Sequence, residues 1–357
     1  MLNSNSLIKT FIKLCSIPSP SGKEKEIANF VLSKIKNKVD EIFVDKVGNI
    51  YLKILGKNNK FLLFSAHLDT VEPAGKQRIF IEKDVIKGEG KYVLGGDNKV
   101  AVAAILDFIE NLDRKKAFNN LEVIFSVKEE TEGGLRYFPK NKIKAKHALV
   151  SDVSLPIGKV MTSGSYVGGY AINISFAGGH VRLLENDIGH PLNFFINFVK
   201  KIPFGKINKN TIVNISKIKM GESFNSIPSL LYFSGEIRTY DKKTYENFFK
   251  KIKTITPILD KKFNTRSKLE LYPYCLGYKL KDKDLLAIKK VFRKLKIKFE
   301  PIKSYSVGDF SILNEWGIKT INIANGNIDA HTVFEKVPVS SLLLLRKIFE
   351  DYYFGFN

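Results

Sequence analysis

The stretch that most limits what this chain can become is Phe61 to Thr70, FLLFSAHLDT. The consecutive apolar residues Phe61 to Phe64 have the length and character of a buried strand. The small pair Ser65-Ala66 follows, and then His67 and Asp69 stand where such a strand ends. In an open α/β sheet, ligands collect beyond the carboxyl ends of the strands. A carboxylate beside a histidine is also a common way to aim an imidazole at a metal. A strand running into an ordinary polar turn accounts for the same residues equally well, so the rest of the chain has to decide.

The pattern recurs. LEVIFSV, residues 121–127, is a second apolar run, and it ends in Lys128-Glu129-Glu130-Thr131-Glu132-Gly133-Gly134. HALVSD, residues 147–152, is a third and ends on Asp152. Between the first two, Leu94-Gly95-Gly96-Asp97-Asn98-Lys99 opens the strongly apolar helix VAVAAILDFIENL. Strands alternating with helices imply an α/β sheet with parallel strands.

The flanks add detail. Residues 6–38 read as helix interrupted by Pro18, Pro20 and Gly22, with Ser21 and Glu24 spaced as a capping box at the second helix. Residues 41–55 alternate around Lys46-Val47-Gly48-Asn49, a hairpin-like pair. Residues 79–90 read as short strands. Composition shifts near Gly158, after which YAINISF, a helix at about 190–201, TIVNISKI, LLYFSGEIR, a helix at about 242–256 and SKLELYPY follow one another. That β-α-β-β-α-β order suggests an inserted ferredoxin-like domain. The α/β pattern resumes with a helix at 283–295, a segment at 308–315, a strand at 319–324, His331 in a loop and a closing helix at 338–351. The expected division is therefore a discontinuous domain of residues 1–158 and 275–357 around an insert of 159–274.

Composition excludes more than it specifies. At 357 residues the chain is long enough for two domains, and 44% hydrophobic with 26% charged residues is ordinary for a soluble globular protein. No run approaches the roughly 18 to 20 apolar residues that span a bilayer. The N-terminal text lacks the apolar core and cleavage site of a secretory signal. Cys15 and Cys275 make no disulfide framework. A cytoplasmic protein without a membrane partner is expected. The 58 basic and 36 acidic residues leave a net charge of +22. The lysines are scattered, as in Lys250-Lys251, Lys261-Lys262 and Lys289-Lys290, and no nucleic-acid signature accompanies them, so a compositional bias is the better reading than a nucleic-acid partner.

Acids and imidazoles thus gather at strand ends and loops: His67, Asp69, Asp97, Glu129, Glu130, Asp152 and His331. Converging buried carboxylates need positive charge among them. No local Arg or Lys motif supplies it, and a pair of divalent cations would.

In this combination and order the chain resembles the M20 family of co-catalytic metallopeptidases, nearest its peptidase T-like branch. SIPSPSGKEKEI, SAHLDTV, LGGDNKVAVAAIL, KEETEGG, VSDVS, FNSIPSLLYFSGEIRTYD and SVGDFSILNEWGIKTINIANGNIDAHTVFEKV carry the resemblance over most of the sequence. It implies a catalytic domain with a mixed α/β sheet, helices on both faces, and an inserted α+β lid. By the same resemblance Asp97 would bridge two metals, His67 and Asp152 would complete one site, and Glu130 and His331 the other. Glu129 would be the general base and Asp69 would orient His67. In the lid, His180 would stabilise the oxyanion, and Arg238 with Asn225 would hold a substrate carboxylate. Zinc is the metal implied, with cobalt or manganese fitting the same ligands.

Two departures stand out. The bridging motif reads Asp97-Asn98-Lys99-Val100-Ala101 where the family has Asp-Asp-Lys-x-Gly. The lid reads Gly179-His180-Val181-Arg182, then Asp187-Ile188-Gly189-His190-Pro191-Leu192-Asn193, in place of Ala-His-x-Gly and Pro-x-x-Gly-x-Asn. The activity expected is removal of N-terminal residues from short peptides, with tripeptides as the family length. A dipeptidase, an N-acyl amino acid deacylase and a non-catalytic metal-binding relative are the alternatives. The resemblance leaves open whether two chains pair through the lid. Outside the motifs, His147 reads as structural, His190 as a residue near a helix start, and Asp309 as either structural or lining the site.

Overall fold

The computed structural model describes residues 4–186, 190–221 and 223–356. The chain divides into two compact units. One comprises Met1–Thr162, Lys279–Lys303 and Gly308–Asn357, and the other Ser163–Tyr278 and Ser304–Val307.

The first unit is built on a mixed sheet. Its central strands, Asn120–Ser126, Phe61–His67, His147–Val153 and Lys319–Ala324, lie side by side in that order and all run parallel. Parallel strands covered on both faces read as continuous apolar runs rather than alternating ones, and every residue of Asn120–Ser126 is buried. Ile50–Ile54 pairs antiparallel on one side and leads into the hairpin with Glu41–Val44. The Asp45 carboxylate closes that turn by accepting the N–H groups of Val47, Gly48 and Asn49. Lys159–Gly164 borders the other side, antiparallel to Lys319–Ala324. This strand and Glu300–Ser304 are short and partly exposed, and carry no apolar run for the sequence to announce.

The helix Gly96–Glu110 is buried from Gly96 to Ile109. It packs on Phe61–His67 and His147–Val153, and the helices Ser4–Cys15 and Val339–Gly355 cover it. An apolar surface on every side is what such enclosure requires. Because the four central strands are parallel, their carboxyl ends open at one edge. His67 ends one strand, Glu129 and Glu130 follow another, and Asp152 lies next to the end of the third.

The second helix differs from the expectation. It begins at Lys25, and Ser21 and Glu24 make no capping box. Ser21 Oγ instead donates to Asp69 Oδ2 at 2.6 Å, and Glu24 Oε1 accepts the N–H groups of Gly22 and Lys128. Partners far along the chain outcompeted the local cap.

The second unit holds an antiparallel sheet ordered Gly205–Asn208, Thr211–Met220, Leu230–Thr239, Tyr166–Ser175, Arg266–Cys275. With Pro191–Lys201 and Lys242–Phe263 it follows the β-α-β-β-α-β order, Gly205–Asn208 being an added edge. Its core is aromatic and aliphatic: Tyr170, Ile172, Phe194, Phe198, Phe233, Ile252 and Leu259. The longer helix runs past Pro257 rather than stopping before it. Proline removes one helical N–H bond, and the buried positions Ile252, Ile255 and Leu259 keep the helix on its stripe across it. It ends at Asn264 in the left-handed region, whose N–H bonds to Asp260 O. Among the described residues, no helix is long and apolar enough to cross a membrane.

Candidate metal centre

At the carboxyl edge of the first unit's sheet, six side chains converge. His67, Asp97 and Asp152 form one group whose ligand atoms lie within 4.8 Å of one another, and Asp97, Glu130 and His331 form a second. Asp97 belongs to both. Its Oδ1 lies 3.6 Å from His67 Nε2 and its Oδ2 lies 3.4 Å from His331 Nε2. His67 Nε2 is 3.5 Å from Asp152 Oδ1, and His331 Nε2 is 2.9 Å from Glu130 Oε1. Glu129 Oε2 faces the first group, 4.0 Å from His67 Nε2, and His67, Glu129 and Glu130 make a third group of the same spacing.

Asp69 acts on more than His67. Its backbone carbonyl lies 3.0 Å from His67 Nδ1, closer than its own carboxylate at 3.5 Å. The carboxylate is committed to the neighbouring loop: Oδ1 accepts the Glu129 N–H at 3.0 Å and Oδ2 the Glu130 N–H at 3.1 Å. The expectation that Asp69 orients His67 therefore needs enlarging. The backbone carbonyl makes the closer contact to the ring, and the carboxylate holds the two glutamates.

Burial and mutual charge set the electrostatics. Burial opposes protonation of His67, but Asp152, Asp69 and Asp97 outweigh it and hold the imidazole well above its ordinary value. Contacts with Asp97 and Glu130 push His331 up to about 10. Burial and the adjacent Asp97 push Asp152 up to about 7. Burial raises Glu129 well above the carboxylate range; His67 pulls the other way, and Asp152, Asp309 and Glu130 add to the rise. Asp97 goes down despite its burial, because His331 and His67 both favour its charged form. More acids than cations thus share the pocket.

These residues fit divalent cations. Asp97 Oδ1 is buried without a hydrogen-bond partner, and a buried acceptor left so is costly. Carboxylate oxygens with imidazole nitrogens are a donor set for zinc, and for cobalt or manganese.

Several residues at the centre carried no signal in the sequence. Ser154 Oγ donates to Asp97 Oδ2 at 3.0 Å. Ser126 Oγ donates to Asp309, which is buried beside Glu129 and whose carboxyl burial pushes up to about 6. Gly308 passes so close that a Cβ there would collide with Glu129 Oε1 and sit 3.1 Å from Asp152 Oδ2. Glu335 accepts the Asp97 N–H at 3.0 Å.

The three expected substrate contacts all lie in the second unit. His180 and Asn225 are neighbours: Gly179–His180 pairs with Ser226–Ile227, and Val181 N donates to Asn225 O. Both line a cavity of about 630 Å³. Arg238 sits near the far end of Leu230–Thr239 and is already engaged. Its Nε donates to Glu236 Oε1 at 2.8 Å and its Nη1 to Tyr305 O at 2.9 Å. Asp187, Ile188 and Gly189 of the lid motif lie outside the described residues. His190 accepts the Leu192 N–H at the start of Pro191–Lys201, and His147 opens its strand with its ring against Phe356.

Comparison with known proteins agrees with this architecture. The aminopeptidase PepT of Bacillus cereus superposes with a TM-score of 0.91 at 22% identity, covering 99% of each chain. A tripeptidase of Staphylococcus aureus superposes with a TM-score of 0.90 at 20% identity, over 99% of this chain and 98% of that one. These likenesses carry the fold. In sequence, the uncharacterized protein YqjE of Bacillus subtilis is 23% identical over 356 residues, 96% of each chain. The model of peptidase family M20/M25/M40 matches residues 63–353, a span that takes in every member of the histidine-carboxylate cluster, and the chain belongs to that family of hydrolases.

Proposed function

We propose that this peptidase is a two-metal aminopeptidase that removes N-terminal residues from short peptides, tripeptides foremost. The carrying observation is the pair of histidine-carboxylate groups that share Asp97 and have Glu129 at their border. His67, Asp97 and Asp152 would hold one cation, and Asp97, Glu130 and His331 the other. Bound there, two divalent cations supply Lewis-acid polarisation of the scissile carbonyl and lower the pKa of the attacking water.

The remaining work falls to the chain's own groups. Glu129 takes the proton of the attacking water on its carboxylate and passes it to the leaving amine. Glu129 faces the group that would hold the first cation, with its Oε2 4.0 Å from His67 Nε2, which is where a base for the attacking water has to stand. Asp69, through the Glu129 and Glu130 N–H groups, keeps the two glutamates apart in their roles. The first unit is the catalytic domain in this reading and the second its lid, in a cytoplasmic enzyme.

His180 would steady the developing oxyanion, while Arg238 and Asn225 would bind the substrate carboxylate. The strand Leu230–Thr239 bears on how they could do so. Ser226–Ile227 runs through Pro228 and Ser229 into Leu230, so His180 and Asn225 belong to one end of that strand and Arg238 to the other. Eight residues of strand at about 3.3 Å each separate those ends by about 26 Å. An extended tripeptide spans only about 10 Å. One substrate cannot engage both ends of the same chain, which favours a homodimer in which a second copy supplies His180 and Asn225.

The test is a panel of peptides of two to five residues, free or N-acetylated, assayed with added zinc, manganese or cobalt. Cleavage of free tripeptides with loss of the blocked ones is the expected result. Preferential cleavage of the acetylated forms would make the enzyme a deacylase instead.

A further inference from the structure

The two glycines ahead of Asp97 belong to no phosphate-binding loop, and the site described above leaves them without a role. Glu335 supplies one. Its side chain is buried and both carboxylate oxygens are used: Oε2 accepts the Gly95 N–H at 2.6 Å, and Oε1 accepts the Asp97 N–H at 3.0 Å together with Asn327 Nδ2 at 2.5 Å.

Glu335 also belongs to the loop that presents His331. That loop is closed on itself, because Ile328 and Lys336 exchange both backbone hydrogen bonds and Glu335 N donates to Thr332 O. The adjoining strand Lys336–Pro338 is paired with Val85–Gly88. One carboxylate therefore ties the backbone of Asp97 to the frame of His331, across 238 residues of sequence. The fit is close: a Cβ on Gly96 would lie 2.8 Å from Val337 Cγ2 and 3.2 Å from Glu335 Oε1. The charge of Lys99 also acts on Glu335, and Lys99 is itself buried with its Nζ donating to Ile17 O at 3.0 Å.

We propose that Glu335 is a positioning residue of the metal centre, setting the spacing between Asp97 and His331 through the Gly95 and Asp97 N–H groups. The proposal rests on the metal reading above. Its chemical requirement is an acceptor at both oxygens. A glutamine would offer one acceptor and turn an NH₂ toward a backbone donor, leaving a buried N–H unpaired. Residues that hold metal ligands in place typically change metal affinity by about 10- to 100-fold when replaced.

The experiment uses the full-length protein loaded with Co²⁺, with cobalt withdrawn by a chromogenic chelator of known affinity and the visible absorption of the bound ion recorded. Glu335→Gln is expected to release at least one equivalent of cobalt about tenfold or more readily than wild type, with altered band intensities and a melting temperature within a few degrees. Asn327→Ala, which removes one of the carboxylate's own anchors, is expected to shift release in the same direction by less, and carries the comparison if Glu335→Gln does not fold. Unchanged affinity and spectrum in both variants, with only a lower melting temperature, would reduce Glu335 to a residue of the fold and overturn the proposal. Wild-type protein that takes up no cobalt, zinc or manganese would overturn the metal reading itself, and this inference with it.

Discussion

Asp69 Oδ1 accepts the backbone N–H of Glu129 at 3.0 Å, so the carboxylate two residues beyond His67 also aims the glutamate proposed as general base. Asp69→Asn keeps the shape but surrenders one acceptor, leaving the Glu129 or Glu130 N–H buried and unpaired. Such a loss costs about 1–3 kcal/mol, about 5- to 150-fold in kcat/KM. Metal content should fall less than turnover. Equal losses of both would mean that Asp69 acts only through His67.

Ser21 separates two readings of the same residue. A helix cap would lose about 1 kcal/mol of stability on replacement by alanine, with activity untouched. A hydroxyl bonded to the Asp69 carboxylate at 2.6 Å should do the reverse. Ser21→Ala is expected to lower kcat/KM severalfold while its denaturant midpoint stays near wild type. Steady-state kinetics and urea unfolding on one preparation decide between them.

Metal uptake should release protons. Without metal, His67 is held well above its ordinary value and His331 is pushed up to about 10, so near pH 7 both imidazoles carry a proton that a cation must displace. Apparent affinity should therefore rise with pH between about 6 and 8. Calorimetric titrations of zinc in buffers of different ionisation heat measure the protons directly. Binding heats that do not depend on the buffer would contradict the assignment.

Arg238 offers a test of the substrate-binding reading. Its guanidinium is partly engaged by Glu236 and the Tyr305 carbonyl. If it also meets a substrate carboxylate, Arg238→Ala should raise KM for free peptides about tenfold or more, the 1.5–3 kcal/mol of a charge-assisted contact. Peptides with amidated C-termini should bind wild type and variant alike. A parallel loss on both substrates would assign Arg238 to the structure of the second unit.

The sequence made the strand ends legible because Phe61–Phe64, Val123–Phe125 and Ala148–Val150 are apolar runs, each followed within a few residues by an acid or an imidazole. FLLFSAH became Phe61–His67, with His67 as the last residue of the strand and Asp69 in the loop that follows. What stayed hidden depends on distant partners. Ser21 and Glu24 have the spacing of a capping box, yet their bonds go to Asp69 and Lys128, 48 and 104 residues away. Glu335 sits in a loop with no periodicity to mark it as buried, and Ser154 is one serine among many. The helix expected at about 242–256 runs on through Pro257 to Phe263, because its buried stripe continues across the proline. Local pattern reports the backbone; the supports of a site are tertiary.

The central claim is that Glu129 moves the proton while its neighbours hold the metal. The most direct measurement is turnover of a free tripeptide by Glu129→Gln, with bound metal counted on the same sample. Two equivalents of metal should be retained and kcat reduced by about 10²- to 10⁴-fold, the usual contribution of a general base. Full turnover by that variant with its metal in place would contradict it.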